Sequence, residues 1–366
     1  MKKRSGIAPL IAIGGTLLAL SVGSFFLTPD RAFSENENRY LQLTPRLTWD
    51  RIMSGDFMED VEDYTSDQIV FRDFWTASRS VLQRAEGKED ISGTYLGADG
   101  RYFAKVTDDS CDGVRREKNA GYIRDFFAAS GKPCTALIVP SPAGILRDML
   151  PENAPYFNED KAFGQLGDIL GDTLLDSRET LSAVDDPYYH TDHHWTTMGA
   201  QAAYTLWAQA TGHTARSYDL TLATDSFRGT LYSKVLLPDS PYDTVAIASD
   251  AAVRSMDCDG EVSDSLYSLA ALEEKDHYKI FMGGNYAKVI IDTGANTGKS
   301  LLVVKDSFAN SFLPFLVRDY DTITVLDLRF YREGVQPLAD QADDVLVLYE
   351  LTNFASDKNL YKLNKT

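Results

Sequence analysis

Short apolar runs alternate with helical stretches through most of this chain, and this alternation constrains its fold more than any other feature. The apolar runs are Ala136–Val139, Leu301–Val304, Thr322–Leu326 and Val345–Tyr349. The helical stretches include Thr197–Ala210, which Gly212 closes, and Phe308–Val317. Apolar runs without polar alternation predict strands that are buried on both faces, which is typical of parallel sheets. The sequence therefore predicts an α/β fold with helices on both faces of a parallel sheet.

The first 29 residues differ from the rest of the chain. Lys2, Lys3 and Arg4 precede Ile7–Leu27, a run of 21 residues without a charged side chain. A helix of that length is roughly 30 Å long, which matches the hydrocarbon core of a bilayer. We therefore predict an N-terminal transmembrane helix, with a single-pass location in the cell membrane and an extracytoplasmic C-terminal body. The alternative is a signal peptide whose cleavage would release a secreted body.

The charge of the chain limits its partners. It has 54 acidic against 36 basic residues and a formal net charge of −18. Because such a surface repels phosphate groups, nucleic acid is excluded as a partner. Three cysteines cannot form a disulfide scaffold, and the sequence leaves open whether Cys111 and Cys134 pair.

Composition and periodicity divide the chain into three regions. Residues 1–29 form the predicted anchor, and residues 30–93 form a polar, helical region close to the membrane. In that region, apolar residues of Met53–Glu86 recur at helical spacing. Residues 94–366 form the α/β domain, which opens with a predicted hairpin around Asp99-Gly100. Within this domain, residues 219–263 are predicted to be an irregular insertion.

The strongest chemical signal is a histidine cluster. Three of the five histidines, His190, His193 and His194, lie within five residues. Thr196 follows them as the predicted cap of a helix. In an extended segment, residues i and i+2 face the same side, so Asp192 shares a side with both His190 and His194. The pattern fits a hydrolytic pair in which Asp192 orients His194 as a base. It also fits a divalent metal site with His190, Asp192 and His194 as ligands, or a polar turn without chemistry.

A general base needs a nucleophile, and Ser307 is the candidate. The buried run Leu301–Val304 leads through Lys305 and Asp306 to this serine, after which a helix is predicted. Ser307 would therefore lie at the carboxyl edge of the sheet, where open α/β folds place their sites. Helix N-terminal amides near its hydroxyl would stabilise an oxyanion. A serine after a strand is also a common helix cap, so the sequence leaves this second role open.

Several motifs occur in the order that a known family shows. They are Phe33-Ser-Glu-Asn-Glu-Asn-Arg39, Asp192-His-His-Trp195, Phe227-Arg-Gly229, Gly283-Gly-Asn285, Lys305-Asp-Ser-Phe308 and Asp327-Leu-Arg329-Phe-Tyr331. With these motifs the chain resembles the bacterial DHHW family, which is similar to the SGNH-hydrolase-like domain of alginate O-acetyltransferases.

The resemblance implies an SGNH-hydrolase-like, flavodoxin-like sheet and a catalytic triad that needs no cofactor or metal. In the alginate relatives, an Asp-x-His-Trp segment supplies acid and base, and a later Asp-Ser-Phe supplies the nucleophile. These roles fall on Asp192, His194 and Ser307. The resemblance also implies residues that support the oxyanion or line the substrate pocket, namely Gly284, Asn285, Arg329 and Tyr331.

The function implied is an extracytoplasmic O-acyltransferase that acetylates a cell-surface or secreted polysaccharide through an acyl-serine intermediate. The partners implied are a glycan acceptor and a membrane-bound O-acyltransferase as acyl donor. Two alternatives stay open. With water as acceptor, the same triad would form a carbohydrate esterase. With a degenerate site, the protein would be a membrane-anchored glycan-binding or assembly protein.

Overall fold

The computed structural model describes residues 11, 14–16, 19, 23, 29–37 and 39–365. The chain divides into two units. The smaller unit consists of Met1–Ile91 and Ser233–Asp239, and the larger unit consists of Ser92–Tyr232 and Ser240–Thr366.

The predicted membrane anchor is not supported. A spanning helix needs about 20 consecutive, mostly apolar residues. In the described part of the chain, no helix combines that length with that apolar character. This finding corrects the prediction of an N-terminal transmembrane helix and, with it, the predicted single-pass membrane location. Most of the run Ile7–Leu27 lies outside the described residues.

Around Met53–Glu86, where the sequence predicts one amphipathic stretch, the structure has three helices. From Phe33 onwards, the elements among the described residues of the smaller unit are β1 (Phe33–Ser34), β2 (Arg39–Tyr40), α1 (Trp49–Ser54), α2 (Asp56–Asp67), α3 (Arg72–Ala85) and β3 (Asp90–Ile91). Left-handed backbone interrupts the helical stretch at Gly55 (φ 91°) and at Phe71 (φ 60°). Asp67 is buried and accepts two hydrogen bonds from the guanidinium of Arg39, which ties α2 to β2.

The larger unit is built around an eight-stranded mixed sheet. Its elements in chain order are β4 (Thr94–Leu96), β5 (Tyr102–Ala104), α4 (Gly113–Ser130), β6 (Cys134–Val139), α5 (Pro142–Ile145), α6 (Glu159–Leu170), β7 (Leu174–Asp176), α7 (Arg178–Ser182), α8 (Thr197–Ala210), β8 (Leu220–Phe227), α9 (Thr230–Val235, whose last three residues belong to the smaller unit), β9 (Asp243–Ala248), β10 (Ser255–Cys258), β11 (Glu261–Ser263), β12 (Lys288–Asp292), β13 (Ser300–Lys305), β14 (Thr322–Leu326), α10 (Gln336–Gln341), β15 (Asp344–Glu350) and α11 (Leu351–Ser356).

The strand order of the sheet is β11-β10-β12-β14-β13-β15-β6-β7. The strands from β14 to β7 are parallel, and they contain all four runs that the sequence predicts as strands. The strands β12, β10 and β11 extend the sheet in antiparallel fashion, so the sheet is mixed and the prediction of a parallel sheet is corrected. The parallel part also lacks the flavodoxin order 2-1-3-4-5, because the last strand, β15, lies between β13 and β6.

Each face of the sheet is covered by its own hydrophobic cluster. Val303 packs with α8 and the turns after Ser307, whereas Leu302 and Val304 pack on the opposite face with α4 and α6. Each such buried side chain contributes about 1.5–3 kcal/mol. Burial on both faces fixes the strands in a register that pairs Lys305 with Leu348 of β15. The loops that follow β13, β15 and β6 therefore leave the sheet at one edge.

Local predictions near this edge have mixed outcomes. Thr196 caps α8 by accepting the N–H of Gly199 (3.2 Å), and β4 and β5 form the predicted hairpin. The predicted helix Phe308–Val317 is instead two 3-10 turns, Ser307–Ser311 and Leu313–Leu316. Pro314 in the second turn has no N–H to continue an α-helical ladder.

Residues 219–263, which the sequence predicts to be an irregular insertion, hold β8, α9, β9, β10 and β11, and β8 pairs with β9.

Candidate active site

The histidine cluster lies on a narrow loop that precedes α8. Tyr188 and Trp195 form an isolated antiparallel bridge at its base, and the N–H of Tyr189 donates to the carbonyl of His194 (3.1 Å). This closed loop differs from the extended segment that the sequence predicts. It keeps Asp192 and His194 on one side, since the N–H of His194 donates to Oδ1 of Asp192 (2.9 Å).

Two buried charged side chains hold the loop by its backbone. The guanidinium of Arg101 donates to the carbonyl of Tyr188 (2.7 Å). The carboxylate of Asp243 accepts the N–H groups of His190 (2.7 Å) and Thr191 (2.8 Å) and the hydroxyl of Thr191 (2.5 Å). Sequence reasoning did not identify either residue, because each lies on a distant part of the chain without a motif.

A continuous line of hydrogen bonds joins Asp192, His194 and Ser307. Nδ1 of His194 lies 2.6 Å from Oδ1 of Asp192, and its Nε2 lies 2.8 Å from Oγ of Ser307. With these partners, Nδ1–H donates to the carboxylate and Nε2 accepts the hydroxyl proton of the serine. Asp192 and His194 are buried, whereas Ser307 is half-buried. The arrangement can therefore draw a proton from a serine that solutes can reach.

The environment of Asp192 keeps it ionised. Burial by itself would raise the pKa of this carboxyl group, but the neighbouring imidazoles of His193 and His194 and hydrogen bonds from His194 and Thr230 outweigh burial and hold the pKa well below its ordinary value. The N–H of Thr230 donates to Oδ2 at 2.7 Å. A Cβ atom at Gly229 would collide with the carboxylate, so a glycine is required at this position.

Two aromatic side chains connect the histidine loop to the serine turn. The ring of Tyr278 stacks on His194 at 3.8 Å with an interplanar angle of 8°, and its hydroxyl donates to the carbonyl of Ser307 (3.1 Å). The indole N–H of Trp195 donates to the carbonyl of Phe308 (2.9 Å). Trp195 belongs to the recognised motif, but Tyr278 was missed, since no local pattern marks it.

Asp306 fixes the turn that carries Ser307. Its Oδ1 accepts the N–H of Phe308 (2.9 Å), and its Oδ2 accepts the N–H of Glu350 (2.9 Å) and the amide Nδ2–H of Asn353 (2.8 Å). Burial raises the pKa of Asp306. The turn that carries Ser307 is thereby joined to the end of β15 and to α11.

The predicted oxyanion residues lie against the serine turn. The ammonium of Lys305, which is fully buried, donates to Oδ1 of Asn285 (2.7 Å) and to Oδ1 of Asn310 (2.8 Å). The side chain of Asn310 donates to the carbonyl of Gly284 (3.3 Å). Burial lowers the pKa of Lys305 to about 8 despite the nearby carboxylate of Asp327. Because Lys305 holds the oxygen of the Asn285 amide, the NH2 group of that amide points away from the buried ammonium.

Arg329 and Tyr331 have no hydrogen bond to the triad. The guanidinium of Arg329 binds both carboxylate oxygens of Asp327, at 2.9 and 2.5 Å. Tyr331 packs in the cluster on the face of the sheet opposite to Phe308, and its hydroxyl lies 3.4 Å from Glu333. Their predicted place in a substrate pocket stays a prediction.

The side chains that could bind a metal differ from the predicted set. Asp192, His193 and His194 each offer a ligand atom within 4.8 Å of the others. His190 instead lies with its Nε2 3.3 Å from the carboxylate of Asp186. Since both oxygens of Asp192 already accept hydrogen bonds, a metal at this cluster would compete with the triad contacts.

Comparison with known families tests the resemblance. Residues 179–326 match the family model described as DHHW protein. The resemblance to the DHHW family is thereby confirmed. Residues 103–239 match the SGNH hydrolase-like domain of acetyltransferase AlgX. Asp192 and His194 lie in both matched ranges, and Ser307 lies in the DHHW range alone. The matches support an enzyme of the acyltransferase or hydrolase type.

Solved structures show the same fold. A DHHW family protein from Eubacterium siraeum has a TM-score of 0.63 at 21% identity, covering 76% of this chain and 96% of its own. Bacillus cereus PatB1 has a TM-score of 0.60 at 21% identity, covering 72% of this chain and 97% of its own. PatB1 with a sulfonyl adduct has a TM-score of 0.58 at 20% identity, covering 70% of this chain and 97% of its own. No curated protein matches the chain. The chain thus shares the mixed α/β fold of these proteins.

Proposed function

We propose that this protein is an O-acyltransferase in which Ser307 is the nucleophile, His194 the general base and Asp192 the carboxylate that orients it. The observation that carries the proposal is the hydrogen-bonded line from Asp192 through His194 to Ser307 at the carboxyl edge of the sheet. The match to an AlgX acetyltransferase domain supports an acetyl group as the acyl unit. A glycan hydroxyl as the acceptor is proposed from the resemblance to alginate O-acetyltransferases.

The first half-reaction loads the serine. Nε2 of His194 takes the hydroxyl proton of Ser307 while Oγ bonds to the carbonyl carbon of the acyl donor. The tetrahedral intermediate then collapses, and the bond to the leaving oxygen breaks. That oxygen departs with the proton from Nε2, which leaves an acyl-serine and a neutral His194. Ionised Asp192 stabilises the imidazolium that exists between these two proton transfers.

The second half-reaction returns the enzyme to its starting state. An acceptor hydroxyl gives its proton to Nε2 of His194 while its oxygen bonds to the acyl carbon. The bond to Oγ of Ser307 breaks, and this oxygen recovers the proton from His194. The product is an ester of the acceptor. Water in place of the glycan hydroxyl would give hydrolysis instead, so exclusion of water from the loaded site decides between the two outcomes.

We assign three donors to the oxyanion. The backbone N–H groups of Ser307 and Gly284 and the Nδ2 group of Asn285 have no hydrogen-bond acceptor in the described part of the chain. Gly284 has φ 143°, a conformation that side chains rarely adopt, which keeps its backbone open to a ligand. A single donor of this kind is worth about 10²–10³-fold in turnover. Asn285→Ala is therefore expected to retain the acyl-serine but to form it more slowly.

The acyl donor is proposed from the resemblance alone. It would be an acyl group presented by a membrane-bound O-acyltransferase, as the DHHW-like motifs imply. A small activated acetyl ester can replace this donor in a test, because the chemistry at Ser307 requires only an electrophilic carbonyl carbon and a leaving oxygen.

The test uses 4-nitrophenyl acetate with and without an oligosaccharide acceptor. Ser307→Ala and His194→Ala are expected to lower turnover by about three to four orders of magnitude. Ser356→Ala, which replaces an exposed serine on α11, is the matched control and should leave turnover unchanged. Phenylmethylsulfonyl fluoride should add a sulfonyl mass to the wild type and to Ser356→Ala but not to Ser307→Ala.

Mass spectrometry of the acceptor separates the reactions. Acetylated oligosaccharide formed by the wild type supports the transferase, and acetate alone supports the esterase. Turnover in Ser307→Ala equal to that of the wild type would refute the acyl-serine.

A further inference from the structure

A cavity of about 380 Å³ lies beside the histidine loop. Its lining combines the tip of the β4–β5 hairpin, the loop around His190 and the start of β9, and includes Asp99, Tyr189, His190, Tyr242 and Thr244. The triad residues do not line it. The volume falls in the range of small-ligand sites.

Polar groups from three separate parts of the fold converge on this cavity. The carboxylate of Asp99, Nδ1 of His190 and the hydroxyls of Tyr242 and Thr244 have no hydrogen-bond partner in the described part of the chain. A carboxylate accepts hydrogen bonds and an imidazole nitrogen accepts or donates them, so both groups can bind sugar hydroxyls. A few convergent polar groups on a partly aromatic wall are typical of sites for small polar ligands.

Tyr242 supplies the aromatic wall. Its side chain is 59% exposed, so a ligand can reach the ring, and the guanidinium of Arg228 lies 3.9 Å from its centroid. The same guanidinium lies 4.8 Å from the ring of Tyr232, so Arg228 is held between two rings and limits the movement of Tyr242. A fixed ring with an apolar face and a polar hydroxyl suits a pyranose, which also has apolar C–H faces and polar edges.

The charges around the cavity select against anionic sugars. Three carboxylates line it, those of Asp99, Asp186 and Asp243. Asp186 is paired with Arg101 and His190, and the carboxylate of Asp243 accepts hydrogen bonds from backbone N–H groups of the histidine loop. Asp99 alone has no partner. A uronate or phosphate would therefore meet an uncompensated negative charge in a chain that is already strongly acidic.

The cavity is connected to the triad through packed aromatic rings. Tyr189 forms part of its wall, and the ring of Tyr189 contacts the ring of Tyr278 (centroids 6.4 Å apart). Tyr278 in turn stacks on His194. Two buried aromatic rings thus lie between a ligand in the cavity and the catalytic base, so the cavity and His194 are two ring contacts apart.

We infer that this cavity is a subsite for an uncharged sugar residue of the acceptor glycan, with Tyr242 as the stacking platform and Asp99 as the group that discriminates against anionic sugars. The inference rests on the proposed function, since it names the substrate class of the same enzyme.

Calorimetric titration of the full chain, without acyl donor, tests the subsite. The probes are chitotetraose, which is uncharged, and tetragalacturonate, which carries four carboxylates. We expect chitotetraose to bind the wild type more tightly than tetragalacturonate. Tyr242→Ala should weaken chitotetraose binding about tenfold or more. Tyr361→Ala, which removes a 51% exposed tyrosine outside the cavity, is the matched control and should have no effect. Asp99→Asn should reduce the difference in binding affinity between chitotetraose and tetragalacturonate.

Three results would overturn the subsite. They are tighter binding of tetragalacturonate, equal effects of Tyr242→Ala and Tyr361→Ala, and absence of chitotetraose binding to the wild type. Cleavage of 4-nitrophenyl acetate needs no sugar, so it should depend on Ser307 and should be the same in the wild type and in Tyr361→Ala, whether or not chitotetraose binds. Failure of the subsite is therefore distinguishable from failure of the triad.

Discussion

His194 contacts each of the other main residues of the candidate site. Its two ring nitrogens bind Asp192 and Ser307, and one ring face is covered by Tyr278. These contacts fix the tautomer and the plane of the imidazole separately: the carboxylate sets which nitrogen carries the proton, and the stacked ring sets the direction of Nε2.

The tautomer can be tested at Asp192. Asp192→Asn removes the negative charge and offers an amide to Nδ1, so the proton of His194 is expected to move to Nε2, where it cannot accept from Ser307. We expect turnover of 4-nitrophenyl acetate to fall by about 10³–10⁴-fold. Far-UV circular dichroism should remain that of the wild type. Turnover within tenfold of the wild type would contradict the assigned role.

The ring plane can be tested at Tyr278. Tyr278→Phe keeps the stacked ring and loses the hydrogen bonds of the hydroxyl to the carbonyl of Ser307 and to the hydroxyl of Ser311, so kcat should fall by about threefold to tenfold. Tyr278→Ala also removes the ring from His194, and kcat should fall further while KM for a small ester changes little. Equal values for the two variants would show that the ring does not position the base.

At the scale of elements, the site depends on the contact between α8 and the turn after β13. Trp195 makes this contact at the entrance to α8, where its indole N–H donates to the carbonyl of Phe308 and to the hydroxyl of Ser311, both at 2.9 Å. Its ring also stacks near Phe312 (6.1 Å, 15°). Both the histidine loop and the serine turn are thus fixed to one indole.

Trp195→Phe should therefore affect stability and activity together. It keeps most of the buried ring but removes the indole N–H that both acceptors share. We expect the free energy of unfolding to fall by about 1–3 kcal/mol in urea denaturation, with a lower kcat. Trp207→Phe is the matched control, because this buried indole packs in the same cluster without a hydrogen bond to the serine turn. A similar loss of kcat in both variants would point to general loosening of the core.

The elements differ in how well the sequence predicts them. The buried strands β6, β13, β14 and β15 are continuous apolar runs, and their ends place Ser307 correctly. In β12, by contrast, buried Val289 and Ile291 flank Ile290, which is 38% exposed, so a short strand of this kind carries a weak signal. Asp192 and His194 are two residues apart and could be paired from the sequence. Tyr278 reaches the site only through folding over a long loop, which no local pattern encodes.

At the scale of the whole molecule, buried carboxyl groups make stability depend on pH. Burial raises the pKa of Glu159 to about 8 and that of Glu350 to about 7, both above the ordinary value of 4.5. One oxygen of Glu350 also lacks a hydrogen-bond partner in the described part of the chain. These groups are protonated in the folded state at mildly acidic pH. Their contribution to the free energy of unfolding is therefore complete below about pH 4.5 and is lost as the pH rises through 7 to 8.

We therefore expect the free energy of unfolding to decrease between pH 5 and pH 8.5. Glu350→Gln, which cannot ionise, should lose less stability over this range than the wild type, by on the order of 3 kcal/mol. Glu152→Gln, at an exposed position, should follow the wild-type curve. Urea denaturation at the two pH values measures the difference. A wild-type slope retained in Glu350→Gln would show that this carboxyl group is not responsible.

The position of β15 has a consequence for how the protein is made. Although β15 is the last strand of the sheet to leave the ribosome, it occupies the place between β13 and β6, which are both synthesised earlier. The carboxylate of Asp306 can accept hydrogen bonds from the N–H of Glu350 and the side-chain amide of Asn353 only after this strand and the start of α11 have been synthesised. Vectorial synthesis thus leaves the nucleophile turn unfinished until nearly every residue of the sheet exists. The nascent chain carries its histidine loop for some 150 residues before it acquires a serine held ready to react.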